Sequence, residues 1–235
     1  GNVTYEHKDA SEFNRTNTTW VGDIKYKDLN GDGAIDENDR TILGSPLPKF
    51  TFGWTNSFSW KNFDLSIFIN GSYGNKVLNY NAIALTHMNS PWTNQLRSVS
   101  DRAQLVPIDY SGDNWFNDVS NVKVANPDTR TPRASINDPN DNDRLSDRYI
   151  EDGSYIRIKN ITLGYTLPKS LLTKMKIENC RVYMNVQNLY TLTAYSGYDP
   201  EVGASTQDST GLSYGVDNGR YPSPTMCSFG LNITF

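Results

Sequence analysis

The sequence predicts an all-β chain that supplies the C-terminal strands of a large antiparallel transmembrane β-barrel with long extracellular loops. Three observations support this prediction. Several segments of about 10 to 13 residues alternate apolar and polar side chains with period two, and they are about twice as long as strands of globular proteins. Tight turns alternate with long loops rich in Asn, Asp and Pro. Hydrophobic residues make up only 37% of the 235 residues, as expected when one sheet face contacts lipid and the other contacts water.

The first two predicted strands, residues 50–59 and 63–73, form a hairpin with a tight turn at Lys61-Asn62. Each strand has one apolar face. On the first strand and the residue after it, this face holds Phe50, Phe52, Trp54, Phe58 and Trp60, and on the second strand it holds Phe63, Leu65, Ile67, Ile69 and Tyr73. Aromatic residues flank the turn, where a membrane barrel has an aromatic girdle at the bilayer edge. The hairpin therefore has the pattern of two strands that cross a bilayer at a tilt.

Three more strands are predicted at residues 155–167, 181–193 and 225–235. The apolar residues of the first of these change parity around Lys159-Asn160. One inserted residue, a β-bulge, would restore a continuous apolar face there. Only residues 80–88 and 168–175 have the pattern of helices, so strands dominate the predicted fold.

The predicted strands are too few to close a membrane barrel, because the smallest barrels have about eight strands and an open edge in lipid leaves backbone groups unpaired. We therefore expect residues 50–235 to be the last five or so strands of a larger barrel, with long extracellular loops at residues 74–153 and 195–224. Residues 1–49 are expected to form a further extracellular loop region. If the tight turns are periplasmic, the chain ends in the periplasm at Phe235.

An aspartate-rich stretch at residues 28–39 matches the twelve-residue calcium loop in residue type and spacing. Gly33 stands where the loop turns sharply. The predicted ligands are the side chains of Asp28, Asn30, Asp32, Asp36 and Asp39 and the carbonyl oxygen of Ala34. Helices do not flank the stretch, so the prediction is a structural calcium ion that orders a loop, not a calcium sensor. The alternative is a surface cluster of Asx turns without a metal.

Four loop aromatics are candidates for substrate binding, because aromatic rings can stack on sugar rings: Trp92, Tyr110, Trp115 and Phe116. Asp109, Asp113 and Asp118 could accept hydrogen bonds from sugar hydroxyls. The alternative is that these aromatics pack one loop against another. The two histidines, His7 and His87, and the two cysteines form no nucleophile–base pattern, so no enzyme is predicted. The net charge of −4 argues against nucleic-acid binding.

Several strings resemble the C-terminal region of SusC-like TonB-dependent outer-membrane transporters. They are Gly22-Asp23-Ile24-Lys25-Tyr26-Lys27-Asp28-Leu29-Asn30-Gly31-Asp32-Gly33, Pro48-Lys49-Phe50, Gly71-Ser72-Tyr73-Gly74, Tyr155-Ile156-Arg157-Ile158-Lys159-Asn160-Ile161-Thr162-Leu163-Gly164-Tyr165, Gln187-Asn188-Leu189 and Tyr195-Ser196-Gly197-Tyr198-Asp199-Pro200-Glu201. The resemblance covers nearly the whole chain from about Gly22 onward.

The resemblance implies a barrel of about 22 strands around an N-terminal plug, located in the bacterial outer membrane. It also implies import of oligosaccharides or peptides with energy from TonB, and a SusD-like surface lipoprotein that closes over the extracellular mouth. The plug and the TonB-binding segment are expected to lie outside this chain. The other expected partners are the rest of the barrel and the membrane lipid, and the long loops are expected to line the mouth and the lid interface.

The last eight residues, Ser228 to Phe235, resemble the assembly signal of outer-membrane proteins. Its key positions here are Gly230, Ile233 and Phe235. An assembly machine that recognises the last strand by edge pairing needs a flat strand that contains glycine and has an apolar outer face.

A second hypothesis from a different class is a secreted, calcium-stabilised β-sandwich that binds glycans. A sandwich would bury one face of each sheet against the other. It would be soluble without detergent, whereas a barrel would be extracted only with detergent.

Overall fold

The computed structural model describes residues 19–89, 92–109, 112–173, 176–202 and 214–235. The strands are β1 (Phe50–Trp60), β2 (Phe63–Tyr73), β3 (Lys76–Asn79), β4 (Leu105–Pro107), β5 (Val122–Val124), β6 (Ile150–Asp152), β7 (Tyr155–Thr166), β8 (Asn179–Thr193), β9 (Val216–Asp217) and β10 (Met226–Thr234). The helices are α1 (Tyr80–Thr86) and α2 (Lys169–Leu172), and 3₁₀ turns cover Glu37–Asp39, Arg97–Asp101, Trp115–Asn117, Val119–Asn121 and Asp147–Tyr149. The chain divides into two compact units, Gly1–Leu43 with Ala82–Ser146 and Gly44–Asn81 with Asp147–Phe235.

The second unit is built on a five-stranded antiparallel sheet in the order β1-β2-β7-β8-β10. Neighbouring strands pair along their length, and this pairing confirms the five long strands predicted from the alternation. The predicted hairpin turn is also confirmed, and Lys61 takes a left-handed conformation there, with φ at +54°. The main difference is at β8, which starts at Asn179 rather than at residue 181, because its first residues pair with the end of β10.

One face of this sheet is apolar across all five strands. The register places Trp54 opposite Ile69 and Ile69 opposite Ile158. Apolar side chains of β8 and β10 extend this face, because Leu163 pairs with Met184 and Met184 pairs with Phe229. Many side chains on this face are exposed, with Trp54 at 57% and Phe229 at 77%, whereas Ile69 and Ile158 in the middle strands are half-buried. From Phe50 to Trp60 the strand covers about 34 Å at ~3.4 Å per residue. A tilt of about 40° reduces this to ~26 Å, which matches the apolar band of a membrane barrel.

Aromatic pairs mark both ends of the apolar face. At the turn end, Phe63 lies 6.4 Å from Trp60 and 4.6 Å from Tyr165, measured between ring centroids. At the other end, the Phe50 and Tyr73 centroids are 5.3 Å apart. The arrangement matches the two aromatic girdles of a barrel, one at each bilayer interface.

The β-bulge predicted in the third long strand is confirmed at Lys159. Phe68 of β2 pairs with Asn160, but the next residue, Ile69, pairs with Ile158, so Lys159 is the extra residue. The pairing of β7 with β8 shifts at the same place. The extra residue returns the apolar side chains of β7 to one face, as the alternation required.

The opposite face of the sheet is polar, and two glycines give room for side chains that lie flat on it. The Arg181 guanidinium donates to the Asp64 carboxylate, with nitrogen–oxygen distances of 2.9 Å and 2.5 Å. This ion pair crosses Gly164, where a Cβ would overlap both groups. On the next strand pair, the Tyr183 ring covers Gly230, and a Cβ there would overlap the ring. Aromatic coverage of a strand glycine is a known way to fix strand register.

The helices are shorter than predicted. α1 ends at Thr86, and α2 covers only Lys169–Leu172 of the predicted residues 168–175. The next residue, Thr173, has its Oγ1 donating to the carbonyl of Lys169, 2.8 Å away. Part of the predicted second helix, residues 174–175, lies outside the described residues. Among the residues that the structure describes, no helix has the length and apolar character needed to cross a bilayer.

Smaller sheets shape the loops. In the second unit, β3 pairs antiparallel with β6 and parallel with β9. In the first unit, β4 pairs with β5. Val21, Val119 and Val122 form the core of this unit, and Trp20, Leu105, Trp115 and Val124 pack against them.

We expect Gly230→Ala to destabilise the full-length protein by about 1–2 kcal/mol, because the new methyl group displaces the Tyr183 ring. The measurement is the free energy of unfolding by urea in lipid vesicles. Gly112→Ala is the matched control, since nothing lies within 4 Å of its added Cβ. In a Tyr183→Ala background the Gly230→Ala cost should vanish. An undiminished cost in that background would contradict the assigned contact.

Candidate functional site

The aspartate-rich stretch folds as a closed loop of the first unit. The Asp28 carboxylate accepts hydrogen bonds from the N–H groups of Gly31 and Gly33, at 2.6 Å and 2.8 Å. Asn30 Oδ1 accepts from Asp32 N, and Asp32 Oδ1 accepts from Ala34 N, both at 2.9 Å. Gly33 has a φ of +83°, as the sharp turn at this position requires.

Asp39 joins the two ends of the loop. Its carboxylate accepts from Asp36 N at 2.9 Å and from Leu29 N at 2.7 Å. Hydrogen bonds from the N–H groups of Asp36 and Leu29 lower the pKa of the Asp39 carboxyl below its ordinary value. Asp39 is thus held as a carboxylate, beside Asp28, at the position where a calcium loop is closed by its last ligand. The side chains of the loop offer only oxygen, the donor type that a hard cation prefers, but no three of its aspartates have ligand atoms within 4.8 Å of one another in this structure.

A second acidic group lies elsewhere in the first unit. Of the described residues, only Asp138, Asp141 and Asp143 form a group of three or more potential metal-binding side chains whose ligand atoms lie within 4.8 Å of one another. Burial and the neighbouring Asp141 raise the pKa of the Asp143 carboxyl. His87 Nδ1 contacts Asp143, and the Asp138 carboxylate accepts from Asn142, so these acids already have protein partners.

The predicted aromatic residues do not share one environment. Trp115 packs against the valine core of the first unit and meets Phe116 edge to face, with centroids 6.0 Å apart. Trp92 is 91% exposed and Phe116 is 50% exposed. Tyr110 lies outside the described residues. Packing therefore accounts for Trp115, while Trp92 and Phe116 keep exposed faces that could contact a ligand.

Arg157 forms a buried ionic cluster that was not predicted from the sequence. Its side chain lies on the polar face of β7 and is 3% exposed. Nε donates to Thr191 Oγ1 at 2.8 Å, Nη1 donates to Glu201 Oε2 at 2.7 Å, and Nη2 donates to Asp199. Lys159 Nζ also contacts Glu201 Oε2, at 2.8 Å. The cluster fixes the start of the β8–β10 loop onto the polar face of the sheet.

Asp199 connects this cluster to the far end of the same loop. Its Oδ2 accepts from Ser223 N at 3.0 Å, and its Oδ1 accepts from Glu201 N at 2.9 Å. Burial raises the pKa of the Asp199 carboxyl. Hydrogen bonds from Arg157, Ser223 and Glu201 outweigh that effect, so the pKa lies below its ordinary value. A signal was available in the sequence, because an arginine inside a strand needs a partner and the loop offers two acids.

Asp217 provides a second buried anchor for this loop. It is 2% exposed, and its carboxylate accepts from Tyr195 Oη at 2.6 Å and from Gly219 N at 2.9 Å. Burial, followed by the hydrogen bond to Asp217, raises the pKa of the Tyr195 hydroxyl. Glu151 of β6 accepts from Ser196 N and Oγ, at 2.8 Å and 2.7 Å. Glu151 therefore holds the loop at Ser196 through hydrogen bonds.

The residues of the predicted assembly signal lie on β10 or directly after it. The Tyr183 ring covers Gly230. Ile233 pairs with Cys180 and is 42% exposed, and Phe235 is 86% exposed. β10 has neighbours on one side only in the described sheet, so its outer edge is open for pairing.

Comparisons with known proteins identify similar sequences over nearly the whole chain, although no family model matches. TonB-dependent receptor P3 of Formosa agariphila is 32% identical over 98% of this chain and 22% of its own length. Receptor P26 of the same organism is 33% identical over 92% of this chain and 20% of its own. TonB-dependent receptor SusC of Bacteroides thetaiotaomicron is 28% identical over 89% of this chain and 17% of its own. The chain thus spans about a fifth of the length of these relatives.

Solved structures support the same fold. The RagAB peptide transporter matches with a TM-score of 0.64 at 22% identity, over 86% of this chain and 19% of that one. The RagAB peptide importer in its 'closed-closed' state matches with a TM-score of 0.56, again at 22% identity, over 87% and 20%. The predicted fold class, an all-β portion of a large transmembrane barrel, is therefore confirmed. The prediction of no enzyme also agrees, since these relatives are named as receptors and transporters.

We expect Arg157→Met to release the β8–β10 loop, because it leaves two acids beside the sheet without their buried partner, at a cost of about 3–5 kcal/mol. Hydrogen exchange at the amides of Glu201 and Ser223 in the full-length protein measures this release. Lys159→Met is the matched control, since Lys159 contacts the same Glu201 but is 32% exposed, and we expect at most about 1 kcal/mol. Equal exchange in the two variants would contradict the assigned role.

Acid should release the same loop. With the folded-state pKa of Asp199 below its ordinary value, the ion pair stabilises the loop above about pH 4. The stabilisation is lost as the pH falls through the folded-state pKa.

Proposed function

This chain is homologous to the SusC-like TonB-dependent receptors of the outer membrane over nearly its whole length, and from that premise we propose that it forms barrel strands and extracellular loops of an active importer. The observation that carries the proposal is the main sheet itself. It combines an exposed apolar face with a polar face across five strands. A sheet of this kind suits a barrel wall between lipid and a water-filled lumen. A soluble domain rarely exposes an apolar face of this size to water.

The proposed substrates are oligosaccharides or peptides. Peptides are supported by the RagAB structures, which are named as a peptide transporter and importer. The exposed aromatic faces of Trp92 and Phe116 suit sugars as well as apolar peptide side chains. The partners proposed are a SusD-like surface lipoprotein, TonB acting through a plug, the remaining barrel strands, and the membrane lipid.

The described ends of the β8–β10 loop give the importer fixed points at its extracellular rim. Arg157 and Asp217 hold the β8–β10 loop at two buried points. Hydrogen bonds between Ser196 and Glu151 hold it at a third point, which is exposed. A rim that is fixed in this way keeps its binding groups in place while substrate passes, so less ordering entropy is lost when substrate binds. No bond-making chemistry is assigned to any of these residues.

We place the tight turn at Lys61-Asn62 and helix α2 on the periplasmic side, with the C-terminus also periplasmic. The support is the asymmetry of the connections, which are short at one end of the sheet and long at the other. On this orientation, Gly230, Ile233 and Phe235 form the proposed assembly signal on the last strand. The exposed apolar face argues against the alternative of a soluble β-sandwich, in which a second sheet would cover it.

A calcium ion is the proposed partner of the aspartate-rich loop. The side chains of Asp28, Asn30, Asp32, Asp36 and Asp39 and the carbonyl of Ala34 would hold it. The support is the backbone of the loop, which turns at Gly33 and is closed by Asp39 in the way that a calcium loop requires. When bound, the ion would neutralise the crowded carboxylates and stiffen the loop.

Extraction of the full-length protein from outer membranes tests the importer. We expect release only with detergent, together with a surface lipoprotein and bound oligosaccharide or peptide that mass spectrometry identifies. A monodisperse soluble monomer would sink the proposal.

Calorimetric titration of the full-length protein with calcium tests the cation. We expect chelator-reversible binding that stabilises the loop by about 2.7 kcal/mol at one hundred times Kd. The double variant Asp28→Asn, Asp32→Asn should abolish the binding heat, whereas Asp128→Asn, an exposed acid outside the loop, should leave it unchanged. Unchanged heat in the double variant, or none in the unaltered protein, would count against the site.

A further inference from the structure

We propose that a recess in the first unit, lined by two arginines, binds a carboxylate group of the imported substrate. The cavity has a volume of about 520 Å³ and is lined by Arg102, Ala103, Gln104, Leu105, Arg133 and Ala134. This volume is in the range of small-molecule sites. The residues that line the recess include two arginines and no acid, so its chemistry favours an anion.

Hydrogen bonds from neighbouring segments hold the wall of the recess that carries Arg102 and Gln104. Asn126 Nδ2 donates to the carbonyl of Arg102 at 3.0 Å, and Asn126 Oδ1 accepts from Gln104 N at 2.9 Å. Between them, Ala103 N donates to the Thr131 carbonyl at 2.9 Å. The backbone of this wall is therefore fixed before a ligand arrives, and a fixed backbone lowers the entropy cost of binding.

Gly22 supports the same wall. Its carbonyl accepts from Arg133 N at 2.8 Å. A Cβ at this position would lie 3.1 Å from Leu105 Cδ2 and 3.2 Å from Ala103 Cβ, and the φ of +84° also favours glycine. The chain therefore packs closely against both sides of the recess.

The two arginines have different roles. Arg133 is paired with Asp23, whose side chain is fully buried, at a nitrogen–oxygen distance of 2.9 Å. That pair is neutral and braces the wall. Arg102 is exposed, and among the described residues it forms no ion pair. Asp101, its neighbour in sequence, does not line the recess. The recess therefore keeps one uncompensated positive charge.

The geometry of a guanidinium decides the ligand class. Its planar set of donors matches a carboxylate with two parallel hydrogen bonds, and the amide of Gln104 offers a further donor beside it. The source of the carboxylate is either an acidic sugar or an acidic peptide, which present the same group. The inference that the carboxylate belongs to an imported substrate rests on the proposed import function. The inference that the recess binds a carboxylate does not.

Binding of small acidic probes to the detergent-purified full-length protein tests the proposal. The probes are trigalacturonate with neutral maltotriose as its counterpart, and N-acetyl-triglutamate amide with N-acetyl-triglutamine amide. We expect at least one acidic probe to bind about tenfold more tightly than its neutral counterpart, with a preference that weakens as salt rises. The probe that shows the preference identifies the source of the carboxylate.

Arg102→Gln should remove that preference. Arg97→Gln is the matched control, because it makes the same charge change at the first residue of the 3₁₀ segment that ends directly before Arg102, outside the recess. Lack of acidic preference in the unaltered protein, or equal losses in the two variants, overturns the proposal. Detergent extraction and lipoprotein co-purification test the importer separately, so failure of the recess and failure of the importer give different results.

Discussion

The need to pair every backbone N–H and C=O group in a bilayer governs the main sheet of this chain. Lipid offers no hydrogen-bond partner, so strands must pair along their full membrane-crossing length. This explains strands of 9 to 15 residues, far longer than a soluble sheet of this size needs. The bulge at Lys159 interrupts the pairing of β7 at one residue only, and in return it keeps the apolar face of the strand continuous on both sides of that residue.

Because lipid offers no partner to a charge either, the charged side chains of the sheet lie on its polar face, where they form ion pairs. On the polar face, the ion pair of Arg181 with Asp64 lies flat across Gly164, and Arg157 is buried among two acids and a hydroxyl. A buried arginine is tolerated only when its donors are satisfied. Glu201 and Asp199 satisfy them from the loop, so the strand charge and the loop position depend on each other.

The first unit is organised by side-chain to backbone hydrogen bonds rather than by a large core. Its apolar core is a small valine cluster, and much of its order comes from Asp and Asn side chains that accept or donate to nearby backbone groups. Asn126 shows the consequence. It lies in a long loop rich in Asn, Asp and Pro, and its side chain holds the backbone of the segment that lines the arginine-lined recess. Short polar residues of this kind serve both as turn formers and as internal braces.

The sequence by itself determined the strands, their faces, the hairpin turn, the bulge and the sharp turn at Gly33, because each depends on alternation or spacing within a few residues. Only the tertiary structure decided the rest. It brought Arg157 to Asp199 and Glu201, more than 40 residues away, and set Tyr183 on Gly230 and Arg102 into a recess. It also showed that Trp115 packs inward while Trp92 does not. These contacts join residues that lie far apart in the sequence, so no local sequence pattern predicts them. The register of the paired strands and the path of the loops decide which of these side chains meet.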